Sequence, residues 1–199
     1  MLLFVRTIAW LVCVIYSTIP AFWLTIHPFA NFWRSRQRNP YSLLVPLWIG
    51  SWILVATLTA PWRLAHLYEL PLAWVPAAGL FVAGISIYRR SSTGFSWSLL
   101  GGLPEVRGAR ESGQRLAVQG IRARVRHPIY LGHLLEMLAW SVGSGLVVCY
   151  ALTALAVATG AAMIAAEDRE LELRFGADFR QYKQNVPAIL PRRSPYTVE

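Results

Sequence analysis

Charge is scarce in this chain. Of 199 residues only 15% are Asp, Glu, Lys or Arg, against about 25% in an ordinary soluble domain. That shortage excludes a water-soluble single domain, a disordered tail and a nucleic-acid-binding arm, despite a formal net charge of +9. Lysine is nearly missing: 18 of the 19 basic residues are Arg, and they cluster between apolar stretches. Cysteine is limited to Cys13 and Cys149, both inside apolar runs, so they read as small hydrophobes and not as a disulfide or metal pair. A Gly-rich phosphate loop, a Rossmann fingerprint, an internal repeat and a low-complexity tract are all absent.

What the chain has is hydrophobic length. It is 55% hydrophobic, with nine Trp and a mean hydropathy of +0.42. A bilayer core of about 30 Å takes roughly 20 apolar residues per helix. Candidate spans are 3–24, broken only by Arg6 near one end, then 42–60, then 70–88 with Pro71 at its start and Pro76 inside. The first is too long for a signal-peptide core, and no small-residue cleavage site follows it. After a polar stretch at 89–127, residues 129–166 contain no Lys or Arg. That is enough for two helices turning near Gly143-Ser144-Gly145, the first of them, at 129–142, rising only about 21 Å. From Glu167 the tail is charged. Leu171, Phe175, Phe179, Tyr182 and Val186 recur there at helical spacing, which predicts one amphipathic helix.

The expected fold is all-α, a polytopic membrane protein of about five spans. It forms a single integral membrane domain over 1–199: three N-terminal spans in 1–88, a cytoplasmic loop at 89–128, a helical hairpin at 129–166 and an amphipathic tail at 167–199. With the N-terminus outside, the cytoplasmic face receives Arg34, Arg36, Arg38, eight loop arginines and six basic residues of the tail, leaving Arg6 and Arg63 outside. This asymmetry favours that orientation over its inverse. The membrane would be a bacterial or archaeal inner membrane or one of ER type.

Two polar clusters sit at the same ends of the last two spans. One is Arg126-His127-Pro128-Ile129-Tyr130, with Gly120 before it and Gly132 after; the other is Glu167-Asp168-Arg169-Glu170. Facing each other, they form a pocket suited to a zwitterionic polar cofactor. Each has a plainer role as well. Arg126 can anchor the headgroup boundary, Pro128 fits a first helical turn, and Tyr130 fits an interfacial aromatic belt. Glu167, placed at a helix C-terminal end, calls for a compensating partner.

In order, Arg126 to Tyr130, Glu167-Asp168, Leu171, Phe175-Gly176, Phe179 with Tyr182, and Val186-Pro187 with Pro191 resemble the isoprenylcysteine carboxyl methyltransferase family, related to the phospholipid N-methyltransferases. The stretch from Arg115 to Gly120 looks like the family's lead into its His-Pro motif, so the likeness covers about 114–191. It implies methyl transfer from S-adenosyl-L-methionine to a lipophilic small molecule or a prenylated or lipid substrate, among membrane lipids and with no nucleic acid. It implies cofactor contacts at Gln114, Arg115, Leu116, Ala117, Gly120, His127, Pro128, Ile129, Tyr130 and Glu167. His127 would address the cofactor's carboxylate, Glu167 its ammonium or ribose hydroxyls, and Tyr130 would offer a π face to a cation. Two positions depart from the family pattern. Arg122 stands where an aromatic is usual, and Met163 stands where carboxyl methyltransferases place an Arg for the substrate.

His133 and Glu136 lie three residues apart inside a span, on one helix face. Both readings of them stay open: a structural hydrogen bond inside the bundle, or lining of the acceptor pocket together with Met163. A metal pair is not expected, because His27 and His66 lie far off on other loops or spans. The leading function is carboxyl O-methylation of a lipophilic acceptor, with phosphatidylethanolamine-like N-methylation as the alternative. An amine acceptor would need Glu167 or Glu136 as a base. An NADPH-dependent membrane reductase and a non-catalytic membrane protein are the remaining classes.

Overall fold

The computed structural model describes residues 2–35, 41–92 and 116–197. Seven α-helices run through these: α1 (Leu2–Leu24), α2 (Ala30–Ser35), α3 (Tyr41–Thr59), α4 (Trp74–Ser92), α5 (Pro128–Ser144), α6 (Val147–Phe175) and α7 (Ala177–Asn185). Among the described residues, the only β pairing is an isolated bridge between His66 and Leu146. With their adjoining short turns, α1, α3, α4 and α6 are long and apolar enough to cross a membrane, and α5 packs among them. The protein is a polytopic all-α membrane protein.

At 17 residues, α5 rises about 25 Å at 1.5 Å per residue, more than the short 129–142 stretch foresees. Gly143 and Ser144 stay helical. The Ser144 hydroxyl donates to Trp140 O at 2.6 Å, and Gly145 N closes the helix on Ser141 O at 2.9 Å. The hairpin therefore turns at Gly145 and Leu146.

Helix α5 is central: it packs on α4, α1 and α6, while α1 lies along α6. The core is made by Ala9, Trp10, Cys13 and Val14 of α1, Met137 of α5, and Val148, Cys149 and Leu152 of α6. Both cysteines are buried in it as free thiols. In contrast, α3 leans on α1 and turns Leu43, Leu47, Ile53, Leu54 and Leu58 outward. Exposed apolar side chains of this kind suit a hydrocarbon solvent.

The tail departs from the single amphipathic helix. The chain continues as α6 to Phe175, Gly176 breaks it at φ 59° and ψ −124°, and α7 restarts at Ala177. The positive φ is a conformation that glycine reaches without steric cost. The periodic residues still converge: Phe179, Tyr182 and Val186 form a buried cluster, with Leu171, Phe175, Leu116, Val118 and Tyr196 against it. Because α6 extends past the apolar stretch, Glu167 lies well inside the helix and not at its C-terminal end. The unfavourable dipole expected there is not what calls for its partner.

This cluster fixes the segment leading into α5. Arg126 N donates to Pro187 O at 2.9 Å and His127 N to Ala188 O at 3.0 Å. Arg192 N donates to Arg124 O at 2.9 Å and Tyr196 N to Ala123 O at 2.8 Å. The Tyr182 hydroxyl donates to Arg122 O at 2.7 Å. Residues 122–127 are thus strapped to the tail by their backbone groups, which sets where His127 points.

Candidate active site

His127 is the residue just before α5, and Pro128 occupies the first helical position, where its missing N–H costs nothing. The imidazole enters the space beside the middle of α6. Its Nε2 lies 2.9 Å from Asp168 Oδ1 and its Nδ1 lies 3.2 Å from Glu167 Oε2. Adjacent helical residues point about 100° apart, and one histidine ring held between them reaches both carboxylates.

Asp168 is the hub. Arg126 Nη2 donates to its Oδ2 at 2.9 Å, and Lys183 Nζ stands 3.4 Å from the same oxygen. Arg126 also donates to Lys183 O at 3.0 Å and to Val186 O. It clamps α6 to the tail. The Arg126, His127 and Asp168 side chains are 9%, 4% and 5% exposed. Glu167 is the open member at 22%.

Burial acts to lower the affinity of His127 for a proton, but the carboxylates of Glu167 and Asp168 outweigh it and push its pKa up to about 9. The ring is therefore an imidazolium near neutrality, with Nε2 hydrogen-bonded to Asp168 and Nδ1 in ion-pair range of Glu167. Tyr130 stacks on it, with centroids 5.7 Å apart at 24°. Hydrogen-bonding capacity is left over. Glu167 Oε2 is close enough to His127 for ion pairing but makes no aligned hydrogen bond among the described residues, and Arg126 Nε is likewise buried without one.

Only some of the residues singled out from sequence come together. His127, Pro128, Tyr130 and Glu167 come together, with Ile129 half-buried between them. Leu116 instead packs on the tail cluster, while Ala117 and Gly120 are exposed on the strap. Gln114 and Arg115 lie outside the described residues. Met163 is buried, one turn before Glu167 on α6. His133 and Glu136 do not bond each other: Glu136 Oε2 accepts from the Tyr16 hydroxyl at 2.7 Å.

Sequence reasoning named Asp168 in the acidic motif without giving it a role, and missed Lys183. Asp168, not Glu167, makes the closer contact with His127. Lys183 comes from the far side of the tail. His27, just past α1 and set aside as remote, is buried and stacks on Trp23 at 5.4 Å, with no hydrogen bond or ion pair to the cluster among the described residues. Its Nδ1 has no hydrogen-bond partner among the described residues.

Two known proteins are similar to part of this chain. Over 87 residues it is 33% identical to Protein-S-isoprenylcysteine O-methyltransferase B of Arabidopsis thaliana, covering 41% of this chain and 42% of that one. Over 70 residues it is 41% identical to Methanethiol S-methyltransferase 1 of Bradyrhizobium diazoefficiens, covering 35% of this chain and 24% of that one. The chain spans less than half the length of either relative. No family model matches it, and no solved structure gives a significant match. The likeness to isoprenylcysteine carboxyl methyltransferases read from the motifs thus agrees with similarity to proteins named as methyltransferases.

Proposed function

We propose that this chain is an integral membrane methyltransferase that uses S-adenosyl-L-methionine and acts on a lipophilic acceptor. The observation that carries the reading is the buried Arg126–Asp168–His127 assembly with the partly exposed Glu167 carboxylate beside it. Similarity to two proteins named as methyltransferases supports it. We further propose that this end of the bundle faces the cytoplasm and the N-terminus lies outside, as the arginine asymmetry favours.

The donor set fits the cofactor. A partly exposed carboxylate suits an ammonium or a ribose diol through charge-assisted hydrogen bonds. The face of Tyr130 suits a sulfonium. Pro128, Ile129, Leu116, Ala117, Gly120 and the stretch with Gln114 and Arg115 complete the proposed grip. When bound, S-adenosyl-L-methionine supplies an electrophilic methyl group on a sulfonium sulfur. The chain's own contribution is alignment and exclusion of water. His127, with both nitrogens engaged, acts by fixing the Glu167 carboxylate in place and by its positive charge, more than as a free donor to the cofactor's carboxylate. Buried Met163 brings no cation to the acceptor side. That favours a nucleophile other than a prenylcysteine carboxylate, such as the amine of a phosphatidylethanolamine-like lipid.

Calorimetric titration of the detergent-solubilised protein with S-adenosylhomocysteine and with NADPH tests the reading. Binding of the first alone is the expected result. Binding of NADPH instead would make the protein a reductase, and binding of neither would leave a non-catalytic membrane protein.

A further inference from the structure

We propose that Tyr16, Tyr88, His133 and Glu136, inside the bundle, form a binding site for the head group of a lipophilic acceptor that carries its own N–H or S–H proton. The term acceptor rests on the methyltransferase reading; the site itself rests on the side chains. The four residues come from three apolar helices, α1, α4 and α5. The Tyr16 hydroxyl donates to Glu136 Oε2 at 2.7 Å. The His133 ring receives Tyr16 edge-on at 5.2 Å and Tyr88 at 5.4 Å. The Tyr88 hydroxyl and His133 Nδ1 are buried and make no hydrogen bond among the described residues.

Polar groups are costly at membrane depth, and a purely structural core would hold Phe and Leu in these places. The helices instead make room for them. A Cβ on Gly132 would stand 2.9 Å from Tyr88 Cε1, and one on Gly84 would stand 3.2 Å from Glu136 Cγ. Glycine at these two contacts lets α4 and α5 approach with the polar side chains between them.

Position connects the cluster to the active site. Tyr130, His133 and Glu136 descend one side of α5, and the last two lie about 9 and 14 Å further along the helix than His127 at 1.5 Å per residue. Charge then selects the ligand. The cluster offers a carboxyl group, two phenols and an imidazole, with no Lys or Arg. The next cations in the chain, Arg89 and Arg90, are exposed at the end of α4, and buried Met163 supplies none. Such a site takes an amine or a thiol and rejects a carboxylate.

Thermal-shift titration of the full-length protein in detergent with dodecylamine, dodecanethiol and dodecanoate tests this, since the three probes share one chain length. The expected result is a saturable rise in melting temperature with the amine or the thiol, and none with dodecanoate; the probe that binds tells the two head groups apart. Tyr88→Phe removes a hydroxyl that bonds no described residue. It should keep the wild-type melting temperature yet weaken the favoured probe about tenfold. Glu136→Gln should let dodecanoate bind as well as the favoured probe. Equal shifts from all three probes in the wild type, or discrimination that survives both substitutions, would overturn the proposal. S-adenosylhomocysteine affinity, measured on the same samples, tests the methyltransferase reading separately.

Discussion

Both ends of the helix bundle bring an arginine, a histidine and carboxylate together, and the two sets differ in their access to water. At one end Arg6 Nη2 lies 2.8 Å from Glu69 Oε1 and His66 Nε2 lies 3.2 Å from the same oxygen, with Glu69 55% exposed. At the other, Arg126, His127 and Asp168 make contacts of the same length at 9% exposure or less. In water such a pair is screened and contributes little. In a sealed cluster each charge depends on its neighbours, because removing one strands the others without solvent. Residue type alone does not separate a surface clasp from a site; burial with spare hydrogen-bonding capacity does.

The sharpest way to break this contrast is at the hub. Asp168→Ala leaves the Arg126 guanidinium and the His127 imidazolium without their shared carboxylate. The expected cost is about 3–5 kcal/mol, read as a large drop in the melting temperature of the detergent-solubilised protein. A variant as stable as the wild type would mean that the sealed cluster is solvated after all.

pH probes the same assembly without mutation. The His127 pKa is raised from an unfolded value of about 6.5 to about 9. Its stabilising contribution is therefore complete below pH 6.5, falls as pH rises, and is lost above pH 9. The whole contribution is at most about 3 kcal/mol, at 1.36 kcal/mol per pKa unit. Chemical unfolding between pH 6 and 10 should show this decline in the wild type and a flatter profile in His127→Gln. A wild-type profile that stays flat above pH 6.5 would mean that the ring gains no proton affinity on folding.

Glu167 should behave differently from its neighbour. It is the open member of the cluster, so Glu167→Gln should lower S-adenosylhomocysteine affinity at least tenfold, about 1.4 kcal/mol, with little change in melting temperature. If stability fell as far as in Asp168→Ala while affinity held, Glu167 would be part of the clamp and not of the ligand site.

Much of this arrangement is legible in the chain. Apolar length gives the spans, and the Arg126 to Tyr130 and Glu167-Asp168 motifs mark the site, because both depend on local spacing. The break at Gly176 is harder to see, since a period near 3.6 continues across it: Phe179 and Tyr182 pack on Leu171 and Phe175 from a second helix. Lys183 enters the site through tertiary approach, as do the contacts that make Asp168 its hub, and adjacent residues do not encode these. His133 and Glu136 look like a pair in sequence. Their partners Tyr16 and Tyr88 come from helices more than forty positions away, so only the packing of α1 and α4 on α5 reveals the cluster.

The smallest effect is expected at the open end, and it is the control on which the comparison turns. The loop carrying Glu69 is held independently of its charge. Leu67 N donates to Gly145 O at 2.8 Å and Val147 N to Ala65 O at 3.0 Å. The Tyr68 hydroxyl donates to Val142 O at 2.8 Å and also meets the Tyr150 hydroxyl. These bonds fix the loop against the α5–α6 turn, so the Arg6 and His66 contacts with Glu69 are redundant. Glu69→Gln should therefore leave S-adenosylhomocysteine affinity at the wild-type value and the melting temperature nearly unchanged. Any residual difference should vanish in 1 M salt, where the Debye length is about 3 Å. A loss that matches Asp168→Ala and persists in salt would show that the two clusters are energetically alike, and exposure would then no longer serve as the criterion that picks out the site.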